Sequence, residues 1–572
     1  MDQHCEKKKP PPFRVGLCLA GAATGGAYSA GVIDFLFEAL DSWHLEKSRG
    51  NSKVPPWDVH LTDVIGSSAG AITASVAAAT LNLPSGEQSA LRRVWVDEMN
   101  ADRLLDCSDL TQTCVVSSLL NANFMASTAA MVLRDEPVKG ALPCWADNVC
   151  LTLRTTNLRG VPYSLCKFKG GQNKQNDGGA MEFHMRQHAD YSQFVLTDRP
   201  KEVCERVRER VTIVDMNERR TSAKWQQLIT CARASSAFPL AFPTVRIEKP
   251  KAHYRHRLCR PPDWRDDTGG ADQVTLAVQE GDANAQTEDT FAFAANDGGA
   301  LDNEPFDVLY EFMNDGLPTS QDMGGDKAEA ETQIHAPSMI LIDPFPESKY
   351  DPKIVEDGLP LLKTVTALAH AVRAQAMFKE SEIKQAVNKH DMSRFIISPV
   401  REVKASQKHK LATASLHAFG GILHEDIRLH DYQLGRVNCK HFLESVFCIP
   451  KQDAWHHPTF KHFREYLDGE SIPIIPVVGS AAQPLQVPKW PAYSRGEMEC
   501  IVDEVGQRVE RRVGVISEML WRQFGLVKPA WFWRNPVQWM KNRAVCSFRR
   551  RVVKFVERRV RKMLEEAVQV YT

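Results

Sequence analysis

Residues 66–70 read Gly66-Ser67-Ser68-Ala69-Gly70, a G-x-S-x-G pattern preceded by an apolar run and followed by an alanine-rich stretch. A serine on a sharp strand-to-helix turn presents its hydroxyl at a helix N-terminus, and flanking glycines leave room for the cramped backbone. Such a serine can attack a carbonyl. The same five residues also make an ordinary tight loop, so their weight depends on what accompanies them. Acyl transfer further requires a base and donors for the oxyanion.

Candidate donors lie about one strand–helix unit upstream. Gly21-Ala22-Ala23-Thr24-Gly25-Gly26 follows the apolar run 14–20 and precedes a helical pattern with Val32, Phe35, Leu36 and Ala39 in phase. Backbone N–H groups of such a turn suit an oxyanion or a phosphate. Neither G-x-G-x-x-G nor a Walker lysine is present, which favours the oxyanion. The candidate base is Asp297, where the alternating run 291–295 ends in Asn296-Asp297-Gly298-Gly299. Taken alone, Asp-Gly reads as turn chemistry.

These groups need elements to hold them. Residues 14–40 and 58–83 each read strand, tight turn, helix, and this repetition predicts an α/β layer with a mostly parallel sheet. Residues 210–215 and 338–343 supply further strands. Segments 261–290 and 314–337, rich in Asp, Gly, Pro and Thr, read as loop insertions. Beyond about residue 355 the pattern turns helical, through 359–378 and 411–436.

Bulk properties exclude several classes. The 572 residues carry no net charge, so nothing global points to nucleic acid; 43% hydrophobic and 25% charged content is that of a globular chain. The basic, proline-rich start has no apolar h-region, and no run of about 18 apolar residues could span a bilayer. Fourteen scattered cysteines, without C-x-x-C or metal spacing, favour free thiols in a reducing compartment.

The three segments together resemble the patatin-like phospholipase family. That family runs in order from a glycine-rich oxyanion loop, through G-x-S-x-G, to D-G-[GA], and uses a Ser–Asp dyad. Asn303 and Pro305 match its D-G-G-x-x-x-N-x-P continuation, and residues 231–245 resemble its A-R-A-S-S-A-x-P segment. The likeness covers about residues 13–345, and 430–443 is similar to a segment of large bacterial members. It implies a three-layer core around a mostly parallel sheet, with Ser68 as nucleophile and Asp297 as base. Residues 21–26 would form the oxyanion hole, and Gly66, Gly70, Gly298 and Gly299 would support the two turns. The implied organisation is a basic tail at 1–12, a catalytic domain at 13–400 with the two insertions, and a mainly helical extension at 401–572. The implied activity is cleavage of acyl esters of membrane glycerophospholipids, without metal or cofactor. The implied setting is cytoplasmic and peripheral on a phospholipid surface, with no nucleic acid; homo-oligomerisation stays open. Where the family has glycines and a cation, this chain has Ala22, Ala23 and Gly25. Alanine amides still donate, although alanine at positive φ is strained. Gly25→Arg is expected to restore the cation and to raise turnover or leave it unchanged. A soluble esterase or thioesterase with the same dyad, and a non-catalytic lipid- or partner-binding scaffold, remain open.

Other residues invite weaker readings. His370, His417, His424 and His430 follow Asp297 in the order a triad would need, but they lie on helical stretches and read as packed or solvated. His456, His457, His462 and Asp468 beside Trp455 read as surface loop before metal site. Near the C-terminus, Val552, Val553, Val556, Val560, Met563 and Leu564 form an apolar stripe. Arg550, Arg551, Lys554, Arg558, Arg559 and Arg561 lie largely off it, and Trp531, Trp533 and Trp539 stand upstream. The pattern fits an interfacial helix on anionic lipid, and equally a helix docked on its own protein.

Overall fold

The computed structural model describes residues 10–572 apart from 255–289, 316–336, 402–408, 524–535, most of 347–392, and shorter stretches within 84–87, 112–147, 168–180 and at 568 and 572. The insertions expected at 261–290 and 314–337, and the helical pattern of 359–378, therefore fall almost wholly outside the described residues.

The chain is a mixed α/β structure around a largely parallel sheet. Strands β1 (Phe13–Leu19), β2 (Val59–Gly66), β3 (Val149–Lys167), β4 (Met181–Thr197), β5 (Thr212–Asp215), β8 (Ser338–Ile342) and β9 (Arg394–Ile397) take the order β5-β4-β3-β2-β1-β8-β9. All neighbours in that order are parallel except β3 and β4. A ribbon of β6 (Val245–Pro250) and β7 (Thr290–Asp297) leaves the sheet, and the end of β7 pairs with β3 at Thr155–Asp297. The long β3–β4 hairpin was not legible as two strands from periodicity.

Both sheet faces are covered, which explains why β1 is apolar without alternation. Val15, Leu17 and Leu19 join one core with residues of α1 (Gly26–Ser48), α2 (Ala69–Ala79) and α3 (Ala223–Ser235). Cys18 and Ala20 face the other way, against Phe306, Leu309 and Met313 of α4 (Phe306–Asp315).

Part of the region after 400 packs on the main core. Helix α5 (Glu425–Ser445) lies along α1, and its Tyr432, Leu434, Cys439, Phe442 and Leu443 belong to the main core. Gly31 and Gly435 permit that approach: a Cβ on Gly31 would come within 1.9 Å of the Tyr432 carbonyl oxygen. Within the helical pattern of 411–436, residues 412–422 form three short helical segments (Ala412–Ala414, Ser415–Ala418, Gly420–Ile422), because Gly420-Gly421 interrupts them and His424 caps α5.

The basic C-terminal stripe is docked. Helix α6 (Arg495–Gln523) and helix α7 (Pro536–Ala567) pack together, with Val560 and Leu564 buried among Met498, Val502, Val505 and Val509, and Val552 and Val556 partly buried beside them. The expectations for Trp531, Trp533 and the side chains of Trp539 and Met563 lie outside the described residues. No described helix is long and apolar enough to cross a membrane.

Candidate active site

Ser68 sits between the end of β2 and the start of α2, with φ 54° and ψ −124°. A non-glycine residue there is strained, and the strain is typical of a side chain forced out of a turn. Close packing forces the turn: a Cβ on Gly66 would meet the Gly70 carbonyl oxygen at 2.5 Å, and one on Gly70 would meet the Leu19 carbonyl oxygen at 2.2 Å. Small residues at 66 and 70 thus let α2 start directly against β1.

The Ser68 hydroxyl donates to Asp297 Oδ2 at 2.7 Å. Asp297 is 2% exposed, and its other oxygen accepts the Gly299 N–H at 2.7 Å. The carboxylate is further fixed through its own backbone: its N–H donates to Ala237 O at 3.1 Å, and its carbonyl accepts the Thr156 hydroxyl at 2.7 Å. Gly298 packs on the Arg154 backbone, and the Arg154 guanidinium pairs with Asp302 at 2.5 Å.

The turn expected to supply oxyanion donors abuts the serine. A Cβ on Gly21 would lie 2.8 Å from Ser68 Cβ. Only part of the turn is available as donors. The Gly21 N–H goes to Asn303 O, that of Gly25 to Ala22 O, and that of Gly26 to Ala23 and Thr24 carbonyls. This leaves the N–H groups of Ala22, Ala23 and Thr24 without a backbone acceptor among the described residues, so Gly21, Gly25 and Gly26 act as framework. Ala23 has φ 42°, so one alanine in the turn does occupy the strained region. The Ala69 and Gly70 N–H groups at the start of α2, without an acceptor among the described residues, add donors of the same polarity.

The expected benefit of an arginine at 25 meets an obstacle that the sequence did not reveal. Gly25 has an ordinary φ of −64°, but a Cβ there would stand 2.5 Å from the Phe345 ring. Phe345 is held by its N–H to Asp343 Oδ1 at 2.9 Å. Burial raises the Asp343 carboxyl to about 6, and its Oδ2 has no partner among the described residues.

Two site residues, Ser235 and Asn303, had no role assigned from the sequence, and the side-chain contacts of Thr24, expected only as a backbone donor, were a third feature it did not give. Ser235 Oγ accepts the Ser68 N–H at 3.1 Å, from within the quoted 231–245 segment. Asn303, 2% exposed, donates from Nδ2 to Gly21 O at 3.2 Å, and its Oδ1 lies against both Gly21 and Gly299. Thr24 bonds to Ala418 and Gly421, and no local pattern could have disclosed that partnership. Past α3, Phe238 and Leu240 are exposed, Leu240 by 78%, in the turn whose Ala237 carbonyl holds Asp297.

Four of the other candidates have partners away from Ser68. His424 Nδ1 accepts the Asp426 N–H, and His430 Nδ1 lies 2.6 Å from Asp431 Oδ1 with its ring edge-on to Trp490. His370 and the His417 side chain lie outside the described residues. His456 Nδ1 is 2.9 Å from Gln452 O, and His457 packs between Phe13 and Phe460. No described group of three or more His, Cys, Asp or Glu could hold a metal ion.

The fold and site together define an α/β chain in which a half-buried serine at a strained strand-to-helix turn is bonded to a buried aspartate. No family model matches the chain. It is similar to the uncharacterized protein y4iI of Sinorhizobium fredii (strain NBRC 101917 / NGR234), at 29% identity over 575 residues, covering 89% of this chain and 76% of that protein.

Proposed function

We propose that this protein is a serine acyl hydrolase of the patatin-like type, acting on acyl esters of glycerophospholipids. The observation that carries the reading is the 2.7 Å hydrogen bond from Ser68 Oγ to a buried Asp297 carboxylate, at a serine held with φ 54°. Asp297 takes the hydroxyl proton as Ser68 Oγ attacks the ester carbonyl. The new C–O bond turns the carbonyl oxygen into an oxyanion, which the N–H groups of Ala22, Ala23 and Thr24 and the N-terminus of α2 stabilise. The proton passes to the departing alcohol oxygen, leaving an acyl-serine. Water, deprotonated by Asp297, then releases the fatty acid and restores Ser68. The exposed Phe238 and Leu240 beside the pair suit a substrate with an apolar tail.

Hydrolysis of a soluble medium-chain ester and of phospholipid vesicles by wild type, Ser68→Ala and Asp297→Asn tests the reading. Loss of at least a thousandfold in each variant, with folding intact, is expected. A preference for aggregated over monomeric ester would separate a lipid hydrolase from a soluble esterase. Near-full activity in either variant would overturn the dyad.

A further inference from the structure

The stripe that periodicity offers to a membrane is spent on α6, yet the opposite face of α7 has its own character. From Cys546 to Lys562 the exposed residues of this helix include Phe548 and Phe555, 58% and 55% exposed, and Arg550, Arg551, Lys554, Arg558, Arg559 and Lys562. Phe548, Arg551, Phe555, Arg558, Arg559 and Lys562 fall on one side of a 3.6-residue helix. The cations that face α6 are neutralised: Arg549 pairs with Glu510 at 3.0 Å and Arg561 with Glu499 at 2.7 Å. The six exposed cations form no ion pair among the described residues. Arg558 donates to the Lys554 carbonyl, and Arg559 lies over the Phe555 ring. The one acid within this stretch, Glu557, turns toward Gly506 of α6.

We infer that this outer face of α7 docks the protein on an anionic lipid surface. Two aromatic side chains about two turns apart, surrounded by exposed Arg and Lys, can enter the headgroup region while the cations meet lipid phosphates. The chain as a whole carries no net charge, so there is no broad positive field of the kind that draws long nucleic acids. The attraction is local to this helix. Its position also connects it to the site. Helix α7 packs on residues 412–418, and this segment packs on the turn at 23–25 through the Thr24–Ala418 bond. Docking by α7 would therefore bring the Ser68 turn close to the lipid that supplies its substrate. This deepens the acyl-hydrolase reading, but binding itself can be measured without it.

The test uses full-length Ser68→Ala protein, which leaves vesicles intact, in co-sedimentation with phosphatidylcholine vesicles with or without about one third phosphatidylserine. Strong binding to the anionic vesicles, weakened by salt, is expected. Arg551→Gln/Arg558→Gln should lower partitioning about thirtyfold at low salt, at roughly a factor of five per lost cation. Phe548→Ser/Phe555→Ser should weaken binding at high salt as well. In the Ser68-intact background both double variants should hydrolyse a soluble ester as wild type does, which shows that they fold. Equal vesicle binding by all forms, no binding to anionic vesicles, or capture of an oligonucleotide in place of vesicles would each overturn the inference. Failure of wild type to cleave the soluble ester would instead count against the hydrolase reading alone.

Discussion

Thr24 and Gly421, nearly four hundred residues apart in the chain, meet where the Gly421 N–H donates to Thr24 Oγ1 at 3.1 Å. The same hydroxyl donates to Ala418 O at 2.5 Å, and Arg428, 2% exposed, grips the Gly421 carbonyl from Nη1 at 2.6 Å. The turn beside Ser68 is thus braced by a segment far beyond the dyad. Thr24→Val removes both hydroxyl bonds and strands a buried N–H. It should cost about 1–3 kcal/mol in a urea titration and lower ester kcat by about tenfold. Thr24→Ser, which keeps the hydroxyl, should restore most of both.

Asn303 joins the two halves of the site, donating to Gly21 O while its Oδ1 rests against Gly299. Asn303→Ala leaves the Gly21 carbonyl unpaired and loosens the oxyanion turn relative to Asp297. The expected result is a fall in kcat of roughly ten- to a hundredfold with KM little changed, because a misplaced donor weakens only transition-state binding. A rise in KM alone would point to substrate binding instead.

At Gly25 the obstacle is Phe345, not backbone conformation. Gly25→Ala should therefore destabilise by about 1–3 kcal/mol, as expected for overpacking a filled site. Phe345→Ala in the same chain should recover part of that loss, and a double-mutant cycle would read the coupling directly. Additive effects would contradict the steric account.

Legibility in the sequence follows the range of the interactions. The turns at Ser68 and Asp297 are each written in a few consecutive residues but read alone as ordinary loops, and only their combination pointed to a pair, which the structure joins by one hydrogen bond. Strands β1 and β2 and helices α1 and α2 were readable because apolar phase is a local property. The bracing of Thr24 by Ala418 and Gly421 was not, since it depends on α5 lying along α1. Nor could the stripe at Val552, Val556, Val560 and Leu564 disclose its partner: the pattern states that a face is buried, and the structure supplies Val502, Val505 and Val509 as what buries it. The long β3–β4 hairpin escaped notice because polar residues such as Arg154, Asn157 and Asp190 face inward and break the apolar phase.

Asp343 supplies a pH signature. Burial raises its carboxyl from 3.8 to about 6, so between those values the folded protein holds a proton that the unfolded chain has released. Its contribution to stability is fully present below about pH 4 and is lost as pH rises through about 6. Asp343→Asn should therefore gain stability relative to wild type as pH increases from 4 to 6, and the gap should level off above pH 7. A gap independent of pH in paired thermal melts would show that Asp343 does not carry this proton.

The central claim is that Ser68 is a nucleophile made reactive by Asp297, and covalent trapping reads it most directly. A fluorophosphonate loses fluoride to an activated serine oxygen, leaving a stable phosphonyl ester that peptide mass mapping can locate. The account predicts a single adduct on Ser68 in wild type, at a rate that falls at least a hundredfold in Asp297→Asn while the fold is unchanged. No adduct on Ser68, or labelling of Asp297→Asn at the wild-type rate, would contradict it.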